Sequence, residues 1–174
     1  MPDPIVTLSP VEVLNRDHRC GNFDCGKPPL NEWLQRHALA SQRSDGPRTF
    51  VVHSNLQVKA YYSLATHHVL KSEGPERLGA GLGNYPIGVI LLARLALDLS
   101  VQKLGIGKAL LKDAMLRVVR VSADVGIRAL IVDAIDEEAR QFYLKNGLVA
   151  FPEDRMRLMI LMKDLRANMA GPNL

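Results

Sequence analysis

Residues 95–111 read LALDLSVQKLGIGKALL and mark the point where an apolar run gives way to a helical pattern. The apolar run stops at Asp98, and Gln102, Gly105 and Gly107 follow before the helical pattern begins. Two explanations fit glycines at this position. Either the turn alone requires them, or an anionic group must approach the backbone, because a glycine has no Cβ to obstruct it.

The residues after this turn predict an amphipathic helix that ends near Gly126. One face carries the apolar positions Leu110, Leu111, Ala114, Val118 and Val121. Upstream of the turn, residues 85–99 are almost continuously apolar. A run of this kind is typical of a central strand that is covered on both faces.

The rest of the chain adds short strands and two further helices. A helix is expected from Asn31, and another begins at the capping residue Asp136 and stops at Gly147. Residues 71–84 are rich in glycine and predict a loop. The predicted strands are residues 5–8, 47–54, 57–65, 129–135 and 155–165.

This order predicts a single α/β domain over residues 1–174, with helices on both faces of a mixed sheet and residues 166–174 as a candidate flexible tail. The net charge of +4 tolerates an anionic partner but does not require one. Neither a signal peptide nor an apolar stretch long enough to cross a bilayer is present, so we expect a cytoplasmic protein that binds no membrane.

Two cysteines, Cys20 and Cys25, lie close together near His18. A metal site is one explanation of this group. The simpler explanation is a pair of reduced thiols in a cytosolic protein, and we expect no metal.

The spacing Q-x-x-G-x-G at residues 102–107 matches neither nucleotide-binding pattern GxxxxGK[ST] nor GxGxxG. Following a strand that ends in LALD, it resembles the pyrophosphate loop of the GCN5-related N-acetyltransferase (GNAT) family, which binds acetyl-coenzyme A. The segment DEEARQFYLKNGL is similar to the family's A-x-x-F-Y-x-x-x-G-F helix, with Leu148 where phenylalanine is usual. The resemblance covers residues 87–163 and implies the GNAT fold, whose central sheet is mixed and mostly antiparallel.

The resemblance also implies a site. The pyrophosphate of acetyl-CoA would bind the main-chain amides of Gln102, Lys103, Leu104, Gly105, Ile106, Gly107 and Lys108. The pantetheine arm would pair with the strand at Leu95, Ala96 and Leu97, and the N–H of Leu95 or Leu97 would polarise the acetyl carbonyl. Tyr143 would protonate the departing thiolate. The general base stays open among Glu137, Glu138, Asp98 and His53.

The first half of the chain resembles the toxin subgroup of this family. The similar features are FDCGKPPLNEWLQRHALA at residues 23–40, the pair Tyr61-Tyr62 before SLA, and the glycine-rich loop. This subgroup implies acetylation of the α-amine of aminoacyl-tRNA, a ribbon-helix-helix antitoxin and a homodimer. The basic residues are scattered, so RNA recognition is implied by the resemblance alone, with Arg36, Lys71 and Arg77 as the first candidate contacts.

Two other functions fit the same sequence. A GNAT acetyltransferase that acts on a small amine or a protein lysine would share every residue that binds acetyl-CoA. A regulator that binds the coenzyme without turnover would share them too, and would not depend on Tyr143.

Overall fold

The computed structural model describes residues 5–171, which form seven strands and six α-helices. The strands are β1 Glu12–Val13, β2 Arg48–Ser54, β3 Gln57–Val69, β4 Ile87–Leu97, β5 Ala129–Asp133, β6 Val149–Ala150 and β7 Arg157–Leu161. The helices are α1 Pro28–Glu32, α2 Ala38–Arg43, α3 Glu76–Gly79, α4 Ile106–Val121, α5 Glu137–Lys145 and α6 Met162–Met169. In this part of the chain no helix is both long enough and apolar enough to cross a membrane.

The strands form one sheet in the order β1-β2-β3-β4-β5-β7-β6. Strands β4 and β5 run parallel, with Ile90 opposite Leu130. The pairs β1–β2, β2–β3, β5–β7 and β6–β7 are antiparallel. The prediction of a mixed α/β fold with a mostly antiparallel sheet is confirmed.

The described chain comprises two compact units whose boundaries fall within β3, β4 and α4. The first contains residues 5–64 and 94–113, and the second contains residues 65–93 and 114–171. The core of the first unit includes Leu14, Phe23, Leu34, Ala38, Val51, Val58, Tyr61 and Ala96. The core of the second includes Val69, Leu78, Ile87, Val89, Ala129, Ile131, Phe151 and Met159. The prediction of one domain over residues 1–174 stays a prediction.

The first long helical segment starts earlier than Asn31 and is not a regular α-helix. It begins with Pro28 at its first position, where the missing N–H of proline removes a donor that has no helical partner anyway. A π-helical turn, Trp33–His37, joins α1 to α2, and the N–H of Ala38 donates to the carbonyl of Trp33. π-Turns inside helices often occur at functional sites.

Two predicted strands are wrong in part. Residues 5–8 form no strand. The N–H of Ser9 donates to the carbonyl of His53, but Pro10 has no N–H to continue this pairing, and the ladder begins at Glu12. The last strand ends at Leu161 rather than at residue 165. Beyond it Met162 and Leu165 are buried three residues apart, the spacing of a helix face, and α6 runs to Met169.

Helix α6 therefore takes up residues 166–169 of the candidate flexible tail, and residues 172–174 lie outside the described residues. The hairpin of β2 and β3 is confirmed, as are the central strand β4 and helix α4. At the start of α5, Asp136 accepts a hydrogen bond from the N–H of Ala139 at 2.8 Å, as the capping prediction requires.

The buried side chain of Gln42 provides a test of the first unit. Its amide donates to the carbonyl of Leu14 at 2.7 Å and accepts from the N–H of Thr49 at 2.9 Å. Gln42→Leu should lower the free energy of unfolding by about 2 kcal/mol or more, because two buried main-chain groups lose their partner. Urea denaturation measures the change. The exposed Gln141→Leu should change stability by less than about 0.5 kcal/mol, and equal effects would contradict the interpretation.

Candidate active site

The bend before α4 presents main-chain amides to solvent. Lys103 and Gly105 adopt φ angles of +63° and +80°, and α4 begins directly afterwards. The N–H of Ala109 donates to the carbonyl of Gly105 at 3.3 Å, so the amides of residues 106–108 have no acceptor one turn earlier in the helix. A Cβ on Gly105 would have no atom within 4 Å. This open bend at the positive end of a helix dipole suits an anion.

The side chain of Gln102 braces the bend instead of facing the solvent. Its Nε2 donates to the carbonyl of Leu97 at 2.9 Å and to the carbonyl of Cys25 at 3.1 Å. The first bond fixes the bend to the end of β4, and the second fixes it to the segment before α1. The side chain of Gln102 is therefore structural, and its main-chain amide remains the predicted contact for a ligand.

Asp98 makes the second brace. Its carboxylate accepts from the N–H of Asp24 at 3.0 Å and from the N–H and hydroxyl of Ser100 at 2.9 and 2.6 Å. Burial raises the pKa of this carboxyl, but the hydrogen bonds from Ser100 and Asp24 and the charge of Lys59 outweigh it and hold the pKa below its usual range. An ionised carboxylate with these donors is a poor general base, so Asp98 is a structural residue.

The segment at residues 23–26 is itself tied to α1. Asp24 Oδ1 accepts from the N–H of Gly26 at 2.8 Å and from the side-chain amide of Asn31 at 2.9 Å. Asn31 Oδ1 accepts from the N–H of Cys25 at 2.8 Å. This brace was not predicted from the sequence, although an aspartate two residues before a glycine is a common sign of a turn closed by a side chain.

Burial raises the pKa of both cysteine thiols, which favours the reduced, unreactive form. His18 lies with Glu12 and His53 instead of with the cysteines. Glu12 Oε1 is 2.6 Å from His18 Nε2 and 2.8 Å from His53 Nε2.

Both Nδ1 atoms in this cluster accept main-chain hydrogen bonds, from Asn15 and Leu56. The ring protons therefore reside on Nε2 and point at the carboxylate. A metal bound at Nε2 would need a proton on Nδ1, which here accepts a hydrogen bond instead. The cluster therefore suits hydrogen bonds from the two imidazoles to the carboxylate better than it suits a metal. It also occupies His53, one of the candidate bases.

The second unit contains Tyr143. This residue lies on α5, packs edge-on against Phe142 at 5.2 Å between ring centroids, and is 5% exposed. Burial raises the pKa of its hydroxyl. That hydroxyl has no hydrogen bond to any of residues 5–171, and no fully buried side-chain polar atom in that range lacks a partner. The hydroxyl of Tyr143 therefore keeps its proton at neutral pH.

The other predicted residues fall into two groups. In the first unit, Ala96 is buried while Leu95 and Leu97 are half-buried on β4. Lys103, Leu104 and Lys108 are exposed at the bend, and Ile106 and Gly107 are half-buried. Glu137, a candidate base in the second unit, pairs with Arg140 and Arg155, and its pKa is lowered first by the hydrogen bond from Gln141.

The three candidate RNA contacts are all exposed, and each already has a partner. Arg36 lies 3.7 Å from Glu32. Lys71 donates to the carbonyl of Leu82 at 2.9 Å. Arg77 forms two hydrogen bonds of 3.1 Å with Asp164. Their contact with RNA stays a prediction.

A central strand that leads through an open glycine bend into the positive end of a helix, within a mixed seven-stranded sheet, defines a protein of the GNAT class. No family model matches the chain. It is 39% identical over 146 residues to a tRNA-acetylating toxin of Mycobacterium tuberculosis. The alignment covers 84% of this chain and 87% of the relative. The chain belongs to the family of the tRNA-acetylating toxins, and the resemblance seen in the sequence is confirmed.

Solved structures agree with this assignment. AtaT complexed with acetyl-methionyl-tRNAfMet matches with a TM-score of 0.87 and 29% identity, over 94% of this chain and all of AtaT. A tyrosine-to-phenylalanine mutant of the AtaT toxin, bound to acetyl-CoA and to the C-terminus of the antitoxin AtaR, matches with a TM-score of 0.81 and 28% identity. That match covers 95% of this chain and 99% of the mutant.

The Gln102 brace gives a kinetic test. Gln102→Leu should raise KM for acetyl-CoA by about tenfold, because two carbonyls lose a donor and the bend loses its fixed shape. Steady-state kinetics with varied acetyl-CoA measure the change. Gln141→Leu, the same substitution on an exposed face of α5, should leave KM within about twofold. An unchanged KM for Gln102→Leu would contradict the hypothesis that the bend binds the coenzyme.

Proposed function

We propose that this chain transfers the acetyl group of acetyl-CoA to the α-amine of an amino acid esterified to tRNA, and so blocks translation as the toxin of a toxin–antitoxin module. The observation that carries the proposal is the 39% identity to a tRNA-acetylating toxin over most of both chains. The bend before α4, with its open amides, supports the proposal because such an activity requires a site for the pyrophosphate of the coenzyme.

The bend binds the coenzyme. Free amides of residues 106–108 and the dipole of α4 attract the pyrophosphate, while Lys103 and Lys108 add positive charge at the rim. Strand β4 binds the pantetheine arm at Leu95, Ala96 and Leu97 through main-chain hydrogen bonds. A main-chain N–H of this stretch polarises the acetyl carbonyl, on whose oxygen charge develops during transfer.

The transfer forms one C–N bond and breaks one C–S bond. The neutral α-amine attacks the acetyl carbon, coenzyme A leaves as a thiolate, and the hydroxyl of Tyr143 supplies the proton that the thiolate takes. The surplus proton of the amine passes to water, and water returns a proton to the phenolate of Tyr143. An esterified amino acid has a less basic amine than a lysine side chain, so a strong general base is unnecessary.

Three finer features belong to the proposal. AtaT is bound in one structure by the C-terminus of its antitoxin AtaR, and we propose a ribbon-helix-helix antitoxin for this chain. We also propose a homodimer and a cytoplasmic location, since charged tRNA is found there. Arg36, Lys71 and Arg77 remain candidate contacts for tRNA.

The role of Tyr143 is tested by Tyr143→Phe. The loss of the hydroxyl should lower kcat by about 10²- to 10⁴-fold with little change in KM for acetyl-CoA, because a general acid acts on the leaving group. The exposed Tyr85→Phe should keep the wild-type rate. A fully active Tyr143→Phe would exclude the tyrosine as the acid. Wild type that binds acetyl-CoA without any turnover would instead favour the coenzyme-binding regulator.

The acceptor is tested by competition. The protein and acetyl-CoA are incubated with charged tRNA, polyamines and lysine peptides together, and mass spectrometry identifies the acetylated product. We expect N-acetyl amino acids released from tRNA. Acetylation of polyamines or peptides alone would favour the small-amine or protein-lysine enzyme.

A further inference from the structure

Arg94 is a partly buried cation that has no countercharge within the described part of the chain. It lies on β4 inside an otherwise apolar strand. Among the described residues, seven other arginines lie near a carboxylate or donate to a main-chain carbonyl: Arg19, Arg36, Arg77, Arg128, Arg140, Arg155 and Arg157. Arg94 has no ion pair or hydrogen bond to any of residues 5–171. Burial lowers the pKa of its guanidinium, and the neighbouring Tyr61 opposes this shift.

An unpaired, half-buried charge costs free energy, so its position needs a reason. The guanidinium carbon of Arg94 lies 4.0 Å above the ring of Trp33. Trp33 stacks on Tyr61 with ring centroids 6.0 Å apart, and the Tyr61 hydroxyl donates to the carbonyl of Leu30 at 2.7 Å. This stack holds the guanidinium in one plane and offsets part of the desolvation cost.

The stack uses one face of the guanidinium and leaves its edge unused. The N–H groups of an arginine lie in the plane of the group and match two oxygens of a phosphate or carboxylate. Trp33 also begins the π-helical turn, which departs from regular helix geometry at this point. The arrangement is therefore a fixed two-pronged donor for an anion.

The sheet assigns this donor to a different ligand from the coenzyme. Successive residues of a strand point to opposite faces. Tyr61 contacts Trp33, whereas Tyr62 donates to Asp113 of α4 at 2.5 Å. Arg94 therefore lies on the face opposite α4, and the helix whose amides receive the pyrophosphate is on the other face.

We propose that Arg94, held by Trp33, binds the phosphodiester that precedes the terminal adenosine of the acceptor tRNA. The inference rests on the proposed function. Arg94 directly precedes the stretch of β4 that binds the pantetheine arm, so a phosphate at its edge lies near the reacting amine. The contact would position the esterified amino acid and select a nucleotide-linked acceptor over a free amine.

Two minimal acceptors isolate this phosphate: an aminoacyl-adenosine, which lacks it, and the same amino acid on cytidylyl-adenosine, which has it. Wild type should prefer the dinucleotide by about 10- to 100-fold in kcat/KM. Arg94→Gln should lower this preference to within about twofold of unity and leave acetylation of the aminoacyl-adenosine unchanged. Arg94→Lys should keep part of the preference, because it retains the charge without the planar fork.

The matched control is Arg43→Gln, an exposed arginine at the end of α2, which should keep the full preference. Equal losses on both acceptors in Arg94→Gln, or no preference in wild type, would overturn the proposal. A second arm compares acetyl-CoA with its 3′-dephospho form. Arg94→Gln should not alter their ratio of KM values, and a change would assign the anion to the coenzyme and overturn the proposal.

Failure of the proposed function has a different signature. Wild type would then bind acetyl-CoA in calorimetry but acetylate neither nucleotide acceptor, and the proposal for Arg94 would fail with it. Acetylation of both acceptors with an unaltered preference in Arg94→Gln would overturn the assignment of Arg94 alone.

Discussion

The proposed function depends on three amides at the start of α4, those of residues 106–108, which donate to no acceptor within residues 5–171. A helix start of this kind is normally covered by a capping side chain or by water. Here a bend with Lys103 and Gly105 in the left-handed region leaves the start open. Two side chains, Gln102 and Asp98, make the hydrogen bonds that hold the bend in this shape, and neither of them covers the amides.

The same braces connect the first half of the chain to the bend before α4. The N–H of Asp24 donates to Asp98, and the carbonyl of Cys25 accepts from Gln102. Asn31 ties both residues to α1. The helical segment that follows holds Trp33 beneath Arg94. One stretch of chain thus supports the bend through its turn and holds Arg94 through Trp33, so both candidate binding features next to β4 depend on the same segment.

Much of this was predictable from local patterns. The 3.6-residue period gave α4, the acidic cap gave the start of α5, and the Q-x-x-G-x-G spacing located the bend. The directions of side chains were not predictable, because they depend on distant partners. The side chain of Gln102 reaches Cys25, 77 residues away, and Arg77 pairs with Asp164, 87 residues away. In the sequence, Arg94 appears only as a charge that interrupts an apolar run. Its contact with Trp33 could not be predicted, because the two residues are far apart in the chain and meet only in the folded protein.

Amide chemical shifts measure directly whether the open amides at the start of α4 bind the pyrophosphate of the coenzyme. Protein labelled with ¹⁵N is titrated with coenzyme A and, separately, with pantetheine, which lacks the pyrophosphate. The account predicts that the amides of Gly105, Ile106, Gly107 and Lys108 shift strongly with coenzyme A and little with pantetheine. Equal responses to both ligands, or unmoved amides at saturating coenzyme A, would contradict it.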